Sequence, residues 1–311
     1  MNNRVFAKSL MFLASFFWIS VAAAQSGAGT VSFKNTVASR TLGRLVSYAL
    51  YLPPGFEKDS RSYPVIYLLH GGGSGQPSDW FTLARIDQVL DRLIAAGEIP
   101  PVIAIAPDGR RDLHNEVATY FMDDADGLTR WEEMFRTEFL PTVEMRHSAL
   151  GTGQNRAILG LSMGGVAAVT FQLRQPDDWA GIAALSAAFR TREQITGLSQ
   201  PAYDSRYGGW FGVGLKGSAR LNEQWAQSEI NTLIAEANKN EFSRIPRLYF
   251  DIGADDPFFA GNAETHLTMQ ETGLRHRFRV REGGHDWNYW RAGLDDAVLH
   301  LGAVLTRGYG E

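Results

Sequence analysis

Residues 156–165, Arg-Ala-Ile-Leu-Gly-Leu-Ser-Met-Gly-Gly, restrict the folds open to this 311-residue chain more than any other stretch. Ala157, Ile158 and Leu159 form a short apolar run, the pattern of a strand buried on both faces. Gly160-Leu161-Ser162-Met163-Gly164 then reads G-x-S-x-G, and beyond it Val166, Ala167, Val169, Thr170 and Leu173 recur at helical spacing. The segment therefore predicts a strand, a sharp turn and a helix, with Ser162 at the apex. Such a turn strains the backbone at the serine and leaves little room for neighbouring side chains. Gly160 and Gly164 supply that room, and the hydroxyl is left exposed above the sheet. The helix start presents the Met163 N–H to any negative charge developing beside the serine. A small-residue helix start with a capping serine has the same composition. The strand before and the helix after are what single out Ser162 as a nucleophile.

The N-terminus reads as a targeting segment. Arg4 and Lys8 precede an almost wholly apolar run from Leu10 to Val21, and Ala22-Ala23-Ala24 fits an A-x-A cleavage site before Gln25. The run is short for a bilayer span, which needs roughly 20 residues. Residues 1–24 are thus expected to be a signal peptide, and 25–311 one exported, periplasmic or secreted domain with no stable membrane span after cleavage. The chain has no cysteine, which excludes disulfides, a thiol nucleophile and cysteine zinc sites. Its formal charge is −4, and −6 without Arg4 and Lys8, with no basic block, which argues against nucleic acid as a partner.

The rest alternates between strand and helix patterns. Thr30–Val37 and Leu45–Leu52 read as antiparallel opening strands; Pro64–Leu69, Val102–Ala106, Ala157–Leu159, Gly181–Leu185, Pro246–Ile252 and Arg277–Val280 as further strands. Helices are expected from Leu83 to Ile94, from Trp131 to Val143 with a kink at Pro141, after Ser162, over Ala263–Glu271 and from Tyr289 to Leu305. This alternation predicts a mostly parallel sheet with helices on both faces, with ligands at the carboxyl ends of the strands.

A serine nucleophile needs a base, and the base an orienting acid, in the chain order Ser, acid, His. His70, His114 and His147 precede Ser162. His266 and His300 fall in helical patterns and His276 at a strand start. His285 alone lies in a loop beyond a strand end, in Glu282-Gly283-Gly284-His285-Asp286-Trp287. For the acid, Asp251 falls within a strand, whereas Asp255 and Asp256 lie in the loop at its carboxyl end; Asp255 is preferred, although the pattern alone does not decide between the two. A second oxyanion donor is expected from His70-Gly71-Gly72-Gly73, where glycines let backbone N–H groups approach a substrate oxygen. Gly72 is the first choice and Gly73 the next, beside Met163. No Gly-Lys-Ser/Thr follows, so a phosphate-binding loop does not fit. The stretch Arg190–Trp225 carries Tyr203, Tyr207, Trp210, Phe211 and Trp225 among glycines. These aromatics suit either a substrate rim or a satellite core.

Taken together, Tyr67-Leu68-Leu69-His70-Gly71, Tyr120-Phe121, Asp126-Gly127, Arg130-Trp131-Glu132, Gly160-Leu161-Ser162-Met163-Gly164-Gly165, Gly253-Ala254-Asp255-Asp256-Pro257-Phe258 and Gly283-Gly284-His285-Asp286-Trp287 resemble the putative esterase (esterase D-like) family of α/β-hydrolases. That family includes feruloyl and acetylxylan esterases, S-formylglutathione hydrolase, siderophore esterases and mycolyltransferases. The resemblance implies an α/β-hydrolase fold and a serine carboxylesterase without metal or cofactor, acting on a small-molecule or polysaccharide-linked ester. It also implies Ser162 as nucleophile, His285 as base and, from the family spacing after the strand-end glycine, Asp255 as acid. Acyl transfer to a sugar hydroxyl is the enzymatic alternative, and a non-catalytic carbohydrate- or surface-binding protein the other. In the relatives the segment matching Tyr120–Asp124 lies beside the active site. The leader reading is checked by mass spectrometry of the mature protein, which should begin near Gln25; an intact chain in the membrane fraction would contradict it.

Overall fold

A computed structural model describes residues 27–57, 61–111, 116–239 and 248–309. The expected leader lies outside the described residues, as do Pro246 and Arg247 at the start of one expected strand. Eight strands form one sheet in the order β1-β2-β4-β3-β5-β6-β7-β8. They are β1 (Thr30–Ser39), β2 (Arg44–Leu52), β3 (Val65–Leu69), β4 (Ile103–Pro107), β5 (Arg156–Leu161), β6 (Gly181–Leu185), β7 (Leu248–Gly253) and β8 (His276–Arg281). β1 and β2 pair antiparallel, as do β2 and β4, and the remaining neighbours are parallel. The continuous apolar runs of β3, β4, β6 and β7 are buried throughout, as strands covered on both faces must be. β8 lies at the edge and alternates arginines with apolar residues, and only part of it is covered.

Six main helices cover the sheet: α1 (Ile86–Ala95), α2 (Leu140–His147), α3 (Met163–Arg174), α4 (Ile230–Lys239), α5 (Phe259–Thr272) and α6 (Trp287–Tyr309). α1 and α6 contribute to the core on one face. α2, α3 and α4 contribute to the core on the other. Residues 163–173 of α3 are buried all round, so this helix is the central pillar of its layer. α1 begins three residues later than its apolar stripe suggests. Arg85 takes a left-handed conformation (φ 59°) that separates α1 from a single turn at Asp79–Thr82 and leaves Leu83 exposed.

The helix expected from Trp131 to Val143 is built differently. α-Helical Trp131–Met134 passes into one π-helical turn, Phe135–Phe139, before α2. The helical backbone continues through all three pieces, so Pro141 is interior, and the irregularity expected there takes the form of the π turn directly before it, where the proline lacks an N–H and crowds the Thr137 carbonyl.

The stretch Arg190–Trp225 folds into short helical turns that bury all five of its marked aromatics; Tyr203, Tyr207, Trp210, Phe211 and Trp225 are each at most 4% exposed. Tyr120 stacks on Tyr207 and Trp210 at 5.1 and 5.3 Å, and Trp210 stacks on Phe211 at 4.4 Å. The cavity left among them is about 50 Å³, too small for a sugar or phenolic ring. Of the two roles open to these rings, the structure takes the core role. α4, which the sequence reading did not anticipate, closes this layer with Ile230, Ile234 and Ala237. Trp210→Ala should therefore lower unfolding stability by about 3–5 kcal/mol, read from urea or thermal denaturation; a loss below about 1 kcal/mol would mean the ring is not part of the core.

Candidate active site

The carboxyl ends of β3, β5, β6, β7 and β8 converge on one cleft of about 500 Å³. Ser162 stands at its floor, between the last residue of β5 and the first of α3, with φ 54° and ψ −110°. An L-residue avoids this region, at a cost of about 1–3 kcal/mol. Three backbone hydrogen bonds hold it. Ser162 N–H donates to the Leu185 carbonyl (2.9 Å), and its own carbonyl accepts from Ala188 (3.0 Å) and Val166 (3.2 Å). The glycines on either side are required for space: a methyl on Gly160 would collide with the Gly164 carbonyl, and one on Gly164 with the Leu69 carbonyl.

His285 reaches this serine from the loop after β8. Its Nε2 lies 2.9 Å from Ser162 Oγ, and its Nδ1 2.7 Å from Asp256 Oδ2. A carboxylate accepts, so Nδ1 carries the proton toward Asp256, and Nε2 is left to accept from the serine hydroxyl. Phe258 and Trp290 meet the ring edge-on, each 5.0 Å away, and fix its plane.

The acid facing His285 is Asp256, not Asp255. β7 does not end in a free loop: Ala254 N–H donates to Arg281 O and Asp255 N–H to Gly283 O, so the backbone stays alongside β8 for two residues past the strand. The same two residues are the centre of a tight turn over residues 253–256, closed by Asp256 N–H to Gly253 O (3.1 Å). Asp255 therefore points to solvent, and Asp256 is the first side chain directed inward. The Asp256 side chain is fully buried, and its second oxygen accepts from Phe258 N–H (2.9 Å). Asp251 lies deeper, on β7, paired with Arg281 at 2.8 Å; burial pushes its pKa up to about 7, and it makes no contact with His285. No residue count from the glycine reveals how far the β7–β8 pairing extends, which is why the sequence reading missed Asp256 by one position.

Of the expected oxyanion donors, Met163 is the first residue of α3 and Gly72 lies across from it. Both line the cleft, and a methyl on Gly72 would touch the Met163 side chain. His70 anchors this loop. Its buried ring donates from Nδ1 to the Gly71 carbonyl (2.8 Å) and accepts at Nε2 from Gly109 N–H (3.0 Å). Burial pushes its pKa down, so the neutral form that satisfies both contacts is kept. The Gly71–Gly72 peptide is planar and trans, so fixing its carbonyl fixes the opposite direction of the Gly72 N–H. Tyr120, Arg190 and Arg206 also line the cleft. Tyr120 belongs to the segment that the resemblance placed beside the site, whereas neither arginine was singled out from sequence.

The family model described as "Putative esterase" matches residues 39–301. An esterase of Mycobacterium tuberculosis strain H37Rv is 28% identical over 265 residues, which are 80% of this chain and 55% of that protein. An acetyl esterase of Caldicellulosiruptor saccharolyticus is 28% identical over 255 residues, 80% of this chain and 88% of that one. The chain spans about half the length of the mycobacterial relatives it matches. Among solved structures, a ferulic acid esterase superposes with a TM-score of 0.74 at 29% identity, over 89% of this chain and 98% of that one. An S-formylglutathione hydrolase from Agrobacterium tumefaciens shares the fold, with a TM-score of 0.67 at 19% identity, over 90% of this chain and 96% of that one. The architecture is the α/β-hydrolase fold.

The two neighbouring aspartates give a direct test. Asp256→Asn should lower kcat on an aryl acetate by about 10³–10⁴-fold, because an amide holds the wrong tautomer of His285, while Asp255→Asn should stay within about threefold of the parent. The reverse order would place the acid at Asp255.

Proposed function

Because the chain belongs to the putative esterase family, we propose that it is a serine carboxylesterase that works through Ser162, His285 and Asp256. The observation that carries this reading is the unbroken relay from Ser162 Oγ to His285 Nε2 and from His285 Nδ1 to Asp256 Oδ2, at 2.9 and 2.7 Å. In the first half-reaction Ser162 Oγ attacks the ester carbonyl as its proton passes to His285 Nε2. The imidazolium that forms is stabilised by the buried Asp256 carboxylate. The tetrahedral oxyanion is held by the Met163 and Gly72 N–H groups, aided by the positive end of α3. His285 then returns the proton to the leaving alcohol, and an acyl-Ser162 ester remains. Water, deprotonated by the same histidine, attacks that ester and releases the acid, restoring the serine hydroxyl.

The wide cleft admits more than an acetyl group, in keeping with relatives named acetyl esterase and ferulic acid esterase. Small-molecule or polysaccharide-linked esters are the substrates this reading assigns. Among the described residues no helix is long and apolar enough to cross a membrane. The leader expected at residues 1–24 supports a place of action outside the cytoplasm.

The test is a panel of acetyl, butyryl and feruloyl esters on purified protein, with Ser162→Ala alongside. The serine is small and at a surface cleft, so the variant should fold with an unchanged melting midpoint. Its kcat should fall by about 10⁴-fold or more. Retention of more than a few per cent of the parent rate would refute the mechanism.

A further inference from the structure

The lining of the cleft includes two arginines, Arg190 and Arg206, and no carboxylate. In a chain of net negative charge this is a local reversal of sign. Arg190 follows the end of β6, and its guanidinium is positioned by Tyr207 and Phe258. Nε donates to Tyr207 Oη (3.0 Å), the charged plane lies 4.6 Å over the Phe258 ring, and the ring of buried Tyr207 is 6.0 Å away. Phe258 in turn touches His285, so one ring separates the guanidinium from the catalytic imidazole. Among the described residues neither nitrogen of the Nη pair has an acceptor. Arg206 lies on a π-helical turn, Asp204–Gly208, and among the described residues makes no hydrogen bond or ion pair. Other half-buried arginines of this protein are paired: Arg110 with Asp108, Arg156 with Glu144 and Arg174 with Glu132.

A half-buried guanidinium that is oriented yet makes no ion pair, beside a second cation in a cleft whose lining holds no carboxylate, suits an anion. Glu229 and Glu264 border a separate small cavity that Arg190 also lines, and neither pairs with it. Arg suits this use because its fork of N–H donors matches a carboxylate or phosphate. Stacking on Phe258 and the bond to Tyr207 prepay its side-chain entropy, so most of the gain on binding is retained. We propose that Arg190 and Arg206 form an anion-recognition subsite, and that the preferred substrate is an ester bearing a carboxylate or similar anionic group a short distance from the scissile bond. This rests on the esterase reading above and refines it by naming a substrate class. The anionic group can belong to the acyl part, as in a dicarboxylic half-ester, or to the alcohol part, as in an acylated acidic sugar or hydroxy acid. In either case the two arginines hold the anion while Ser162 attacks the ester carbonyl.

The experiment compares kcat/KM within two matched pairs. For the acyl side the pair is 4-nitrophenyl hydrogen adipate and 4-nitrophenyl hexanoate, of equal chain length. For the alcohol side it is 4-acetoxybenzoate and 4-acetoxybenzamide. Rates are corrected for spontaneous hydrolysis and for residual rate in Ser162→Ala. The parent protein should favour the anionic member of at least one pair by about tenfold or more, and the favoured pair identifies the side that carries the charge. Arg190→Met and Arg206→Met should each shrink that ratio several-fold, Arg190→Lys should restore part of it, and added salt should reduce it for the exposed Arg206 contact. The ratio is insensitive to any general loss of active protein, so a destabilised variant still reports. A ratio near one in both pairs, or a parent ratio unchanged in both Met variants, would overturn the subsite while leaving the esterase reading intact. Absence of any Ser162-dependent turnover would overturn that reading, and the subsite with it.

Discussion

The active site depends on one residue held in a conformation it would not choose. Ser162 has φ 54°, which costs an L-residue about 1–3 kcal/mol. Three backbone hydrogen bonds, each contributing about 1 kcal/mol, offset that cost. Two of them come from the end of β6 rather than from the helix the serine caps. The turn is therefore stable only when β5 and β6 are in register and α3 is packed across them. Glycine at 160 and 164 is the steric condition for that packing, since a side chain at either would meet a backbone carbonyl. Local strain is thus maintained by the whole sheet, and the serine hydroxyl is raised into the cleft as a consequence.

The remaining groups reach the serine because each follows a strand that ends on the same side of the sheet. Their positions are set by hydrogen bonds and packing rather than by chain flexibility. His285 is fixed between two aromatic edges and a buried carboxylate. Asp256 is held at both oxygens, by His285 and by the Phe258 N–H. The Gly71–Gly72 peptide is tied by the buried His70. Little reorganisation is then needed as charge develops, and that preorganisation is the main electrostatic contribution available to such a site. The cationic wall of Arg190 and Arg206 adds a feature that the relay does not require.

Much of this was legible in the sequence because steric requirements leave narrow signatures. G-x-S-x-G between a buried strand and a helix fixed the turn, and elimination among seven histidines isolated His285. The parallel strands announced themselves as apolar runs; Gly181–Leu185 was bounded to the residue. What stayed hidden depended on backbone pairing or on tertiary contact. Asp256 rather than Asp255 faces His285 because β7 and β8 remain paired beyond their last ladder residues, and composition carries no record of that. The left-handed Arg85 has no local signal either. The aromatics of Arg190–Trp225 read equally well as rim or core, and only their stacking on Tyr120 and on one another decides for core. Arg190 and Arg206 look like ordinary solvated charges until the fold places both on the cleft beside Ser162, whose lining holds no carboxylate.

The central claim is that the strained serine, through its relay, is the reacting group. A fluorophosphonate that forms a covalent bond with activated serines tests this directly, with the adduct located by mass spectrometry of peptides. The account predicts a single adduct per chain, on the peptide containing Ser162. It predicts labelling slowed by orders of magnitude in His285→Ala and Asp256→Asn, and absent in Ser162→Ala. An adduct on another residue, or labelling of Ser162→Ala at the parent rate, would contradict it.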